Sequence, residues 1–332
     1  MKAKIIGALC AAAVSAVAVV SVAAEQGKEG GVISVKASGI PHSALFGLSF
    51  DAGTGVAVGI NGSVLTSKDG GETWAPEKQD ATDLALLAVA RRGTHTIAVG
   101  QLGTVIVESA PATWKKIDAG TEARFLSVSV NTSGIAAAGG EFGLLLGSND
   151  GGETWASIAP NWADYADANV PGTGEPTVYA VYVSEAGAIT VAGEFGLILR
   201  REPGSETWRV LNPVTGGTPT IFAIHIPEQA NGNSYAVGQA GEILISTDNG
   251  ARWFRNKANT TSNFLGVAVA PGGRVVITGM RVMAASSNGG INWKFIEEGD
   301  TTTDWYQAVR TEKNTGQVMA VGHAGRIIRI NG

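Results

Sequence analysis

The chain has 332 residues, a net charge of −5 and 46 glycines, and 16% of its residues are charged. This acidic balance, together with the lack of a basic run interleaved with aromatic residues, disfavours a nucleic-acid partner. The single cysteine, Cys10, excludes a fold held together by internal disulfides.

The first predicted element is a secretory signal peptide at residues 1–24. Two lysines precede an apolar run over residues 5–22, and small residues form a cleavage site before Glu25. We therefore expect residues 25–332 to be exported and to be soluble in the periplasm or in an equivalent compartment such as a thylakoid lumen. An uncleaved anchor is the alternative, because about 18 apolar residues can just span a bilayer. Cys10 lacks a leucine three positions earlier, so a lipoprotein signal is not expected.

A phrase that reads Ser-Lys-Asp-Gly-Gly-Glu-Thr-Trp in its first copy recurs along the rest of the chain. Its copies occupy Ser67–Trp74, Ser148–Trp155, Ser246–Trp253 and Ser286–Trp293. Asn288 replaces the aspartate in the last copy, and two further units keep only the tryptophan, Trp114 or Trp208. A period of about 40 residues that contains short alternating strands is typical of blades arranged in a ring.

A second signal, a Gly-x-x-Gly turn between two apolar strands, predicts the number of blades. The turns lie at 59–62, 100–103, 140–143, 193–196, 238–241 and 322–325, with a degenerate copy at 279–282. Each unit contains four short strands, which predicts one all-β domain, a seven-bladed β-propeller of four-stranded antiparallel blades. Because the chain ends after the third strand of the last blade, the N-terminal strand Val32–Lys36 is predicted to complete that blade and close the ring.

We name the recurring phrase the Asp–Trp turn and expect it to have a structural role. A carboxylate between the third and fourth strands can accept hydrogen bonds from turn amides, glycine can adopt positive φ, and tryptophan can cover the hairpin. The residues assigned to this role are Asp69, Trp74, Asp150, Trp155, Asp248, Trp253, Asn288 and Trp293. Catalysis or calcium binding is disfavoured, because copies at the outer edges of separate blades cannot converge on one ligand.

The Gly-x-x-Gly turns and the loops between blades share one face of a propeller, around the mouth of the central channel. One polar residue from each turn forms a predicted ring on that face: Asn61, Gln101, Glu141, Glu194, Gln239, Arg281 and His323. Two interpretations remain open for this ring. Its members are ordinary solvated turn residues, or Glu141 and Glu194 help to bind a cation or a basic group of a partner.

The longest step between successive tryptophans runs from Trp155 to Trp208 and contains an inserted loop at residues 161–176. Insertions on a repeat scaffold often map to the binding face, and Trp and Tyr are favoured contact residues. We therefore include Trp162 and Tyr165 in the candidate binding surface. The alternative is that both side chains pack back onto the blade.

The pattern Val-Gly-x-x-Gly-x-x-Leu-x-Ser-x-Asp-Gly-Gly-x-Thr-Trp is matched closely by residues 59–74 and nearly as well by 140–155 and 238–253. It resembles the photosystem II assembly and stability factor family of β-propellers, within the wider group of Asp-box (BNR) repeat proteins. The resemblance implies an exported, non-enzymatic protein that binds proteins during assembly of a membrane complex. The basic patch by which photosynthetic members hold their client is not evident here, because the arginines are scattered. An accessory role beside an envelope transport or assembly system is therefore also expected.

The alternative function is a carbohydrate-binding protein or a sialidase-like glycoside hydrolase. Sialidases share the Asp box, but they resemble six-bladed rings with an arginine triad and an Arg-Ile-Pro segment, which this sequence lacks. The four histidines show no metal-ligand spacing and no nucleophile motif lies near them. We expect a monomer without cofactor or resident metal that binds a membrane-protein complex or an envelope protein, and peripheral membrane association is compatible with this role.

Overall fold

The computed structural model of the chain describes residues 31–165, 174–212, 218–228 and 232–332. The predicted signal peptide, residues 1–24, lies outside the described residues. The described part is built almost entirely from short antiparallel strands, which form seven four-stranded sheets arranged as blades. Four short 3-10 turns accompany them, at Ile60–Gly62, Trp162–Asp164, Glu194–Gly196 and Gln239–Gly241.

A single strand, β1 (Ile33–Ala37), precedes the first complete blade. Blade 1 contains β2 (Leu45–Asp51), β3 (Thr54–Gly59), β4 (Val64–Ser67) and β5 (Ala75–Glu77). Blade 2 contains β6 (Leu86–Arg92), β7 (His95–Gly100), β8 (Val105–Ala110) and β9 (Thr113–Ile117). Blade 3 contains β10 (Phe125–Val130), β11 (Ala136–Gly140), β12 (Leu145–Ser148) and β13 (Ala156–Ser157). Blade 4 contains β14 (Val178–Val183), β15 (Ile189–Gly193), β16 (Ile198–Arg201) and β17 (Trp208–Asn212).

The remaining blades repeat this layout. Blade 5 contains β18 (Ile221–His225), β19 (Ser234–Gly238), β20 (Glu242–Ser246) and β21 (Phe254–Lys257). Blade 6 contains β22 (Phe264–Val269), β23 (Val275–Gly279), β24 (Met283–Ser286) and β25 (Lys294–Phe295). Blade 7 contains β26 (Tyr306–Thr311), β27 (Val318–Gly322) and β28 (Ile327–Ile330) from the C-terminal end of the chain.

The outer strand of blade 7 comes from the opposite end of the chain. The sheet order is β1, β28, β27, β26, and β1 pairs antiparallel with β28 through Ile33 opposite Ile330 and Val35 opposite Ile328. The predicted ring closure is therefore confirmed, with the strand one residue further along than Val32–Lys36. The all-β, seven-bladed architecture is confirmed as well. Pairing β1 with β28 covers a strand edge that would otherwise be open to another chain.

The cores lie between neighbouring blades. Second strands such as β11, β15 and β27 are buried along their whole length, because each packs against a blade on both sides. Small residues let the innermost strands approach one another. A Cβ atom added at Gly47 would lie 2.9 Å from the backbone nitrogen of Val89 in the next blade. Close approach at this radius is what a ring of converging blades requires.

Each innermost strand carries a bulge after its first residue, and this bulge shapes the central channel. In blade 1 the pairing register shifts between Leu45 and Gly47, and the same shift recurs in the other six blades. A bulge redirects the residue that it leaves unpaired. The unpaired residues line the channel: Phe46, Leu87, Leu126, Tyr179, Phe222, Leu265 and Gln307. The channel wall at this level is therefore mostly apolar.

Candidate functional site

The face that carries the Gly-x-x-Gly turns and the inter-blade loops, named here the turn face, holds the residues predicted as a binding ring. Its two variable turn positions have different geometries. At the first position the backbone N–H donates to the residue that precedes the innermost strand of the same blade, as Gln101 does to the carbonyl oxygen of Ala85 at 3.1 Å. The second position has a left-handed backbone in all seven blades.

Four first-position side chains, those of Gln101, Glu141, Glu194 and Gln239, contact the start of their own blade. The Oε1 atom of Gln101 accepts from the Ala85 amide at 3.3 Å, and Glu194 and Gln239 accept in the same way from Thr177 and Thr220. Glu141 instead pairs with Arg124, with 3.4 Å between Nη1 and Oε1. These contacts tie the inter-blade loop to the turn.

The predicted ring therefore divides into two sets. Gln101, Glu141, Glu194, Gln239 and His323 occupy first positions, whereas Asn61 and Arg281 occupy second positions. The first-position residues of blades 1 and 6 are Ile60 and Met280, whose backbone N–H groups make the equivalent bonds. The ring predicted from the sequence, with one polar residue from each turn, therefore combines two kinds of turn position with different backbone geometry. The structure does not bring all seven side chains into one ring.

Second-position residues project from the turn face, and several of them are apolar. The residues are Asn61, Leu102, Phe142, Phe195, Ala240, Arg281 and Ala324, with φ between 49° and 57°. Leu102 and Phe142 have 66% and 76% of their surface exposed, and Phe195 is half-buried. We name Leu102, Phe142 and Phe195, on adjacent blades 2, 3 and 4, the apolar tips. Positive φ is uncommon for bulky residues, and here the backbone hydrogen bonds of each turn hold the tip residue in that conformation.

Sequence reasoning missed the apolar tips, although a signal for them exists. A large apolar residue directly before the second glycine of a solvated turn is unusual, and it occurs here in three consecutive blades. The glycine that follows each tip is required by close approach. A Cβ atom added at Gly103 would lie 1.7 Å from the carbonyl oxygen of Thr121.

The inserted loop supports one of the tips. Trp162 is only 7% exposed, and its Nε1–H donates to the carbonyl oxygen of Gly143 at 2.9 Å, directly after Phe142. The Tyr165 hydroxyl donates to the carbonyl oxygen of Trp208 at 3.1 Å. Both side chains pack back onto the blades, which is the second of the two expectations for them. Trp162 is therefore no exposed contact residue, because its indole fills the space beneath the turn of Phe142. Residues 166–173 of the insertion lie outside the described residues.

His323 belongs to a compact polar cluster between blade 7 and the loop before it. Asp300 accepts hydrogen bonds from the Tyr306 hydroxyl at 2.8 Å, from Arg326 Nη1 at 2.6 Å and from the His323 ring. Burial alone would raise the pKa of Asp300, but these hydrogen bonds and the charge of Arg326 hold it below its usual range. Burial, together with Asp300, raises the pKa of Tyr306.

Asp300, Asp304 and His323 lie close enough together to be considered as metal ligands. Both oxygens of Asp300 already accept hydrogen bonds, and the Arg326 guanidinium would repel a cation at that place. This donor set fits an ion-paired loop anchor better than a metal centre.

Glu141 and Glu194, the predicted pair of functional carboxylates, both influence the pKa of Tyr179. Burial raises the pKa of Tyr179, and the Glu194 and Glu141 carboxylates raise it further. A phenol in this environment keeps its proton, whereas a tyrosine nucleophile needs a lowered pKa. The arrangement therefore does not activate Tyr179.

The opposite face, named the Asp–Trp face, carries the turns of that name in closed hydrogen-bond networks. In the first copy Asp69 accepts from the Thr73 backbone N–H at 2.9 Å, from the Thr73 hydroxyl at 2.6 Å and from Ser67 at 2.8 Å. Asp150 and Asp248 accept in equivalent ways, and Asn288 accepts from the Asn292 N–H at 2.9 Å. Hydrogen bonds from Thr73 and Thr154 lower the pKa of Asp69 and Asp150 to about 2.

The tryptophans complete these turns. The Nε1–H of Trp74 donates to Gly71 at 3.1 Å, and that of Trp155 donates to Gly152 at 2.9 Å. Trp253 packs against the core between blades 4 and 5, and Trp293 packs against the core between blades 5 and 6. The acids thus use their acceptor atoms within their own turns, as the structural role requires.

No helix among the described residues is long and apolar enough to cross a membrane. No protein-family model and no curated protein matches the sequence. Solved structures do match the fold, at low sequence identity.

One similar structure is that of YCF48 from Cyanidioschyzon merolae, with a TM-score of 0.71 and 18% identity over 90% of this chain and 98% of that chain. YCF48 bound to D1 peptide matches with a TM-score of 0.66 and 19% identity over 90% of this chain and 97% of that chain. The WD40 β-propeller domain of Doa1 has the same TM-score of 0.66 at 14% identity, and the match covers 90% of this chain and 96% of that chain. These likenesses establish the propeller fold.

Proposed function

We propose that the chain is an exported, non-enzymatic propeller that binds an extended segment of a membrane or envelope protein on its turn face, as an assembly or accessory factor. The observation that carries the proposal is the group of apolar tips. Three large apolar side chains stand on adjacent blades in a backbone conformation that costs free energy for such residues. Exposed apolar side chains grouped on one face are typical of protein-binding surfaces.

The surroundings of the tips support a peptide-like ligand. On the same face the channel mouth is lined by aromatic and aliphatic residues, and Tyr179 and Phe222 pack edge to face with 5.0 Å between ring centres. Phe46 stacks on Trp305 at 5.7 Å. Rigid aromatic residues bind with little loss of side-chain entropy. The structural likeness to a propeller solved with a bound peptide agrees with this kind of ligand.

Site-specific photo-crosslinking tests the proposal. A photoreactive phenylalanine analogue is placed at Phe142, and a matched control carries it at Ile291, which is 73% exposed on the Asp–Trp face. After irradiation with solubilised membranes, we expect one reproducible membrane-protein adduct from position 142 and none from position 291. A peptide of the cross-linked segment is then titrated against the purified chain.

The titration distinguishes specific recognition from nonspecific adhesion. Phe142→Ala is expected to weaken peptide binding by about tenfold or more, since a truncated contact residue commonly costs over 1 kcal/mol. Ile291→Ala should leave the affinity unchanged. Equal adducts at both positions, or no adduct at position 142, would contradict the proposal.

Export is part of the proposal and has its own test. The charged, apolar and small-residue segments before Glu25 support a cleaved signal peptide. Terminal sequencing of the chain purified from its native source should start at Glu25, in the fraction outside the inner membrane. A chain that retains residues 1–24 in a membrane fraction would indicate the anchor instead.

A further inference from the structure

The central channel contains a charged group that the turn-face site does not use. A cavity of about 530 Å³ opens on the Asp–Trp face and extends into the channel between the innermost strands. Its lining includes Arg310 of β26, which also lines the smaller cavity above it toward the turn face. Arg310 is the only charged residue among the described residues that lines both cavities. The guanidinium thus lies inside the ring, where Arg310 is solvent-exposed.

Arg310 has no carboxylate partner among the described residues. Its Nη1 atom donates to the carbonyl oxygen of its own neighbour, Val309, at 2.8 Å. A guanidinium in a confined channel without a carboxylate partner has N–H donors free to bind an anion.

Cations at the cavity mouth are already neutralised. Arg92 pairs with Asp51 at 3.3 Å and with Glu185 and Glu228 at 2.6 Å each, and Lys313 pairs with Glu228 as well. Arg91 pairs with Glu108 at 2.8 Å. At the mouth, Arg92 and Lys313 thus face three carboxylates, which leaves one excess negative charge there. Inside the channel, among the described residues, the positive charge without a carboxylate partner is that of Arg310. A ligand with one negative charge matches it better than a phosphate ester with nearly two.

The side chains level with Arg310 on the other innermost strands are either polar or small. Tyr182 and His225 occupy equivalent positions after the bulge in β14 and β18, and the equivalents elsewhere are small: Ser49, Ala90, Ser129 and Ala268. Burial and the Arg310 charge lower the pKa of His225 to about 4. Burial and nearby acids raise the pKa of Tyr182. Both groups are therefore neutral at pH 7 and supply hydrogen bonds without adding charge.

We propose that the channel is a binding site for a small organic monocarboxylate, which Arg310 holds through its carboxylate group. The planar guanidinium matches a carboxylate in two parallel hydrogen bonds. Apolar bulge residues that line the adjoining part of the channel, such as Leu87, Leu126 and Leu265, suit an apolar body. The cavity volume lies within the range of small-molecule sites, about 300–1,000 Å³. This site is independent of the turn-face function.

Calorimetric titration of the purified full chain tests the site, with benzoate as the ligand and benzamide as its uncharged analogue. We expect saturable binding of benzoate, and binding of benzamide, inorganic phosphate and chloride that is weaker by about tenfold or more. Arg310→Gln should weaken benzoate binding by the same factor. Lys313→Gln, which removes a charge at the mouth but leaves the channel group, should change it less than about twofold.

A stability measurement separates this site from a merely structural arginine. Because Arg310 is exposed in the channel and lacks a carboxylate partner, Arg310→Gln should leave the thermal midpoint of the ligand-free chain nearly unchanged and abolish the increase that benzoate produces. A lowered midpoint would show that the charge is compensated within the fold and would overturn the proposal. Chloride or phosphate bound as tightly as benzoate, or benzoate binding that survives Arg310→Gln, would overturn it as well.

Discussion

At the residue scale, the most informative positions are those where a bulky side chain occupies a left-handed backbone. Phe142 has φ of 53° and is 76% exposed, so its ring gains little from packing within the fold. Glycine adopts this conformation without strain. A phenylalanine at such a position indicates that its exposed ring contributes something other than stability.

The first prediction follows from this conflict between backbone and side chain. Phe142→Gly should raise the free energy of unfolding by about 1 kcal/mol, because the left-handed strain of a non-glycine residue is removed. The same substitution should abolish peptide binding on the turn face. Urea unfolding and the peptide titration measure the two effects on one preparation. A variant that is less stable and still binds would show that the ring serves packing.

The second prediction concerns the acids of the Asp–Trp turns. The pKa values of Asp69 and Asp150 are about 2 in the folded chain, below the value near 3.9 of an unfolded aspartate. A lowered pKa stabilises the fold above the unfolded value, and this contribution is lost as the pH falls from about 4 toward 2. Both side chains are exposed to solvent, so each contribution is small.

Asn288 shows that an amide can occupy the acid's place with the same backbone contact. Asp69→Asn is therefore expected to fold and to cost less than about 1 kcal/mol at pH 7. It should also lose less stability than the parent chain between pH 5 and pH 2, since one depressed carboxylate is absent. Urea unfolding across that pH range checks the slope. If the parent chain and Asp69→Asn lose stability with the same slope, then the pKa of Asp69 is not lowered by folding.

At the element scale, the blade shows which features a sequence can predict. The repeat predicted four strands per blade and the place of the Asp–Trp turn, because both depend on local periodicity and turn chemistry. It could not show which of the two turn residues points outward, since polarity does not reveal the sign of φ. Nor could it show that Trp162 is buried, because its partner, Gly143, is 19 residues away in the chain and meets it only across the finished blade.

The residues that face the central channel could not be predicted from the sequence, for a similar reason. The bulge after the first residue of each innermost strand shifts the inward and outward alternation by one. Simple alternation counted from Tyr306 would place Arg310, four residues later, on the same side as the buried Tyr306. Because of the bulge, Arg310 faces the channel instead. Its lack of a carboxylate partner also depends on residues from several blades, which no local pattern in the sequence records.

The third prediction compares two copies of the blade hairpin. Trp74 is 6% exposed and packs edge to face on Phe50, with 5.8 Å between ring centres, whereas Trp114 is half-buried in a unit whose turn has decayed. Trp74→Ala should cost about 3–5 kcal/mol, the usual range for a buried tryptophan. Trp114→Ala should cost clearly less. Equal losses in denaturant unfolding would show that the turn around Trp74 adds nothing to its packing.

At the scale of the whole molecule, closure of the ring depends on a strand from the far end of the chain. In β1, Ile33 and Ala37 are buried at 8% and 2% exposure, and Asn331 donates to the Val32 carbonyl oxygen at 2.7 Å. Without β1, the edge of β28 and the apolar side chains beneath it would face water. Such an edge is a template for pairing with another chain.

The last prediction tests this closure directly. Deleting residues 31–37 should lower the free energy of unfolding by about 3 kcal/mol or more, because the burial of Ile33 and Ala37 and a row of β28 hydrogen bonds are lost together. The truncated chain should also self-associate at its open edge, which light scattering would detect. A synthetic peptide of residues 31–37, added in excess, should pair with β28 and restore the monomer by mass action. A peptide with Val35→Pro is the matched control, since proline cannot donate to the ladder. If the truncated chain stays monomeric and keeps its stability, then closure of the ring does not depend on β1, and packing between blades 7 and 1 must supply it instead.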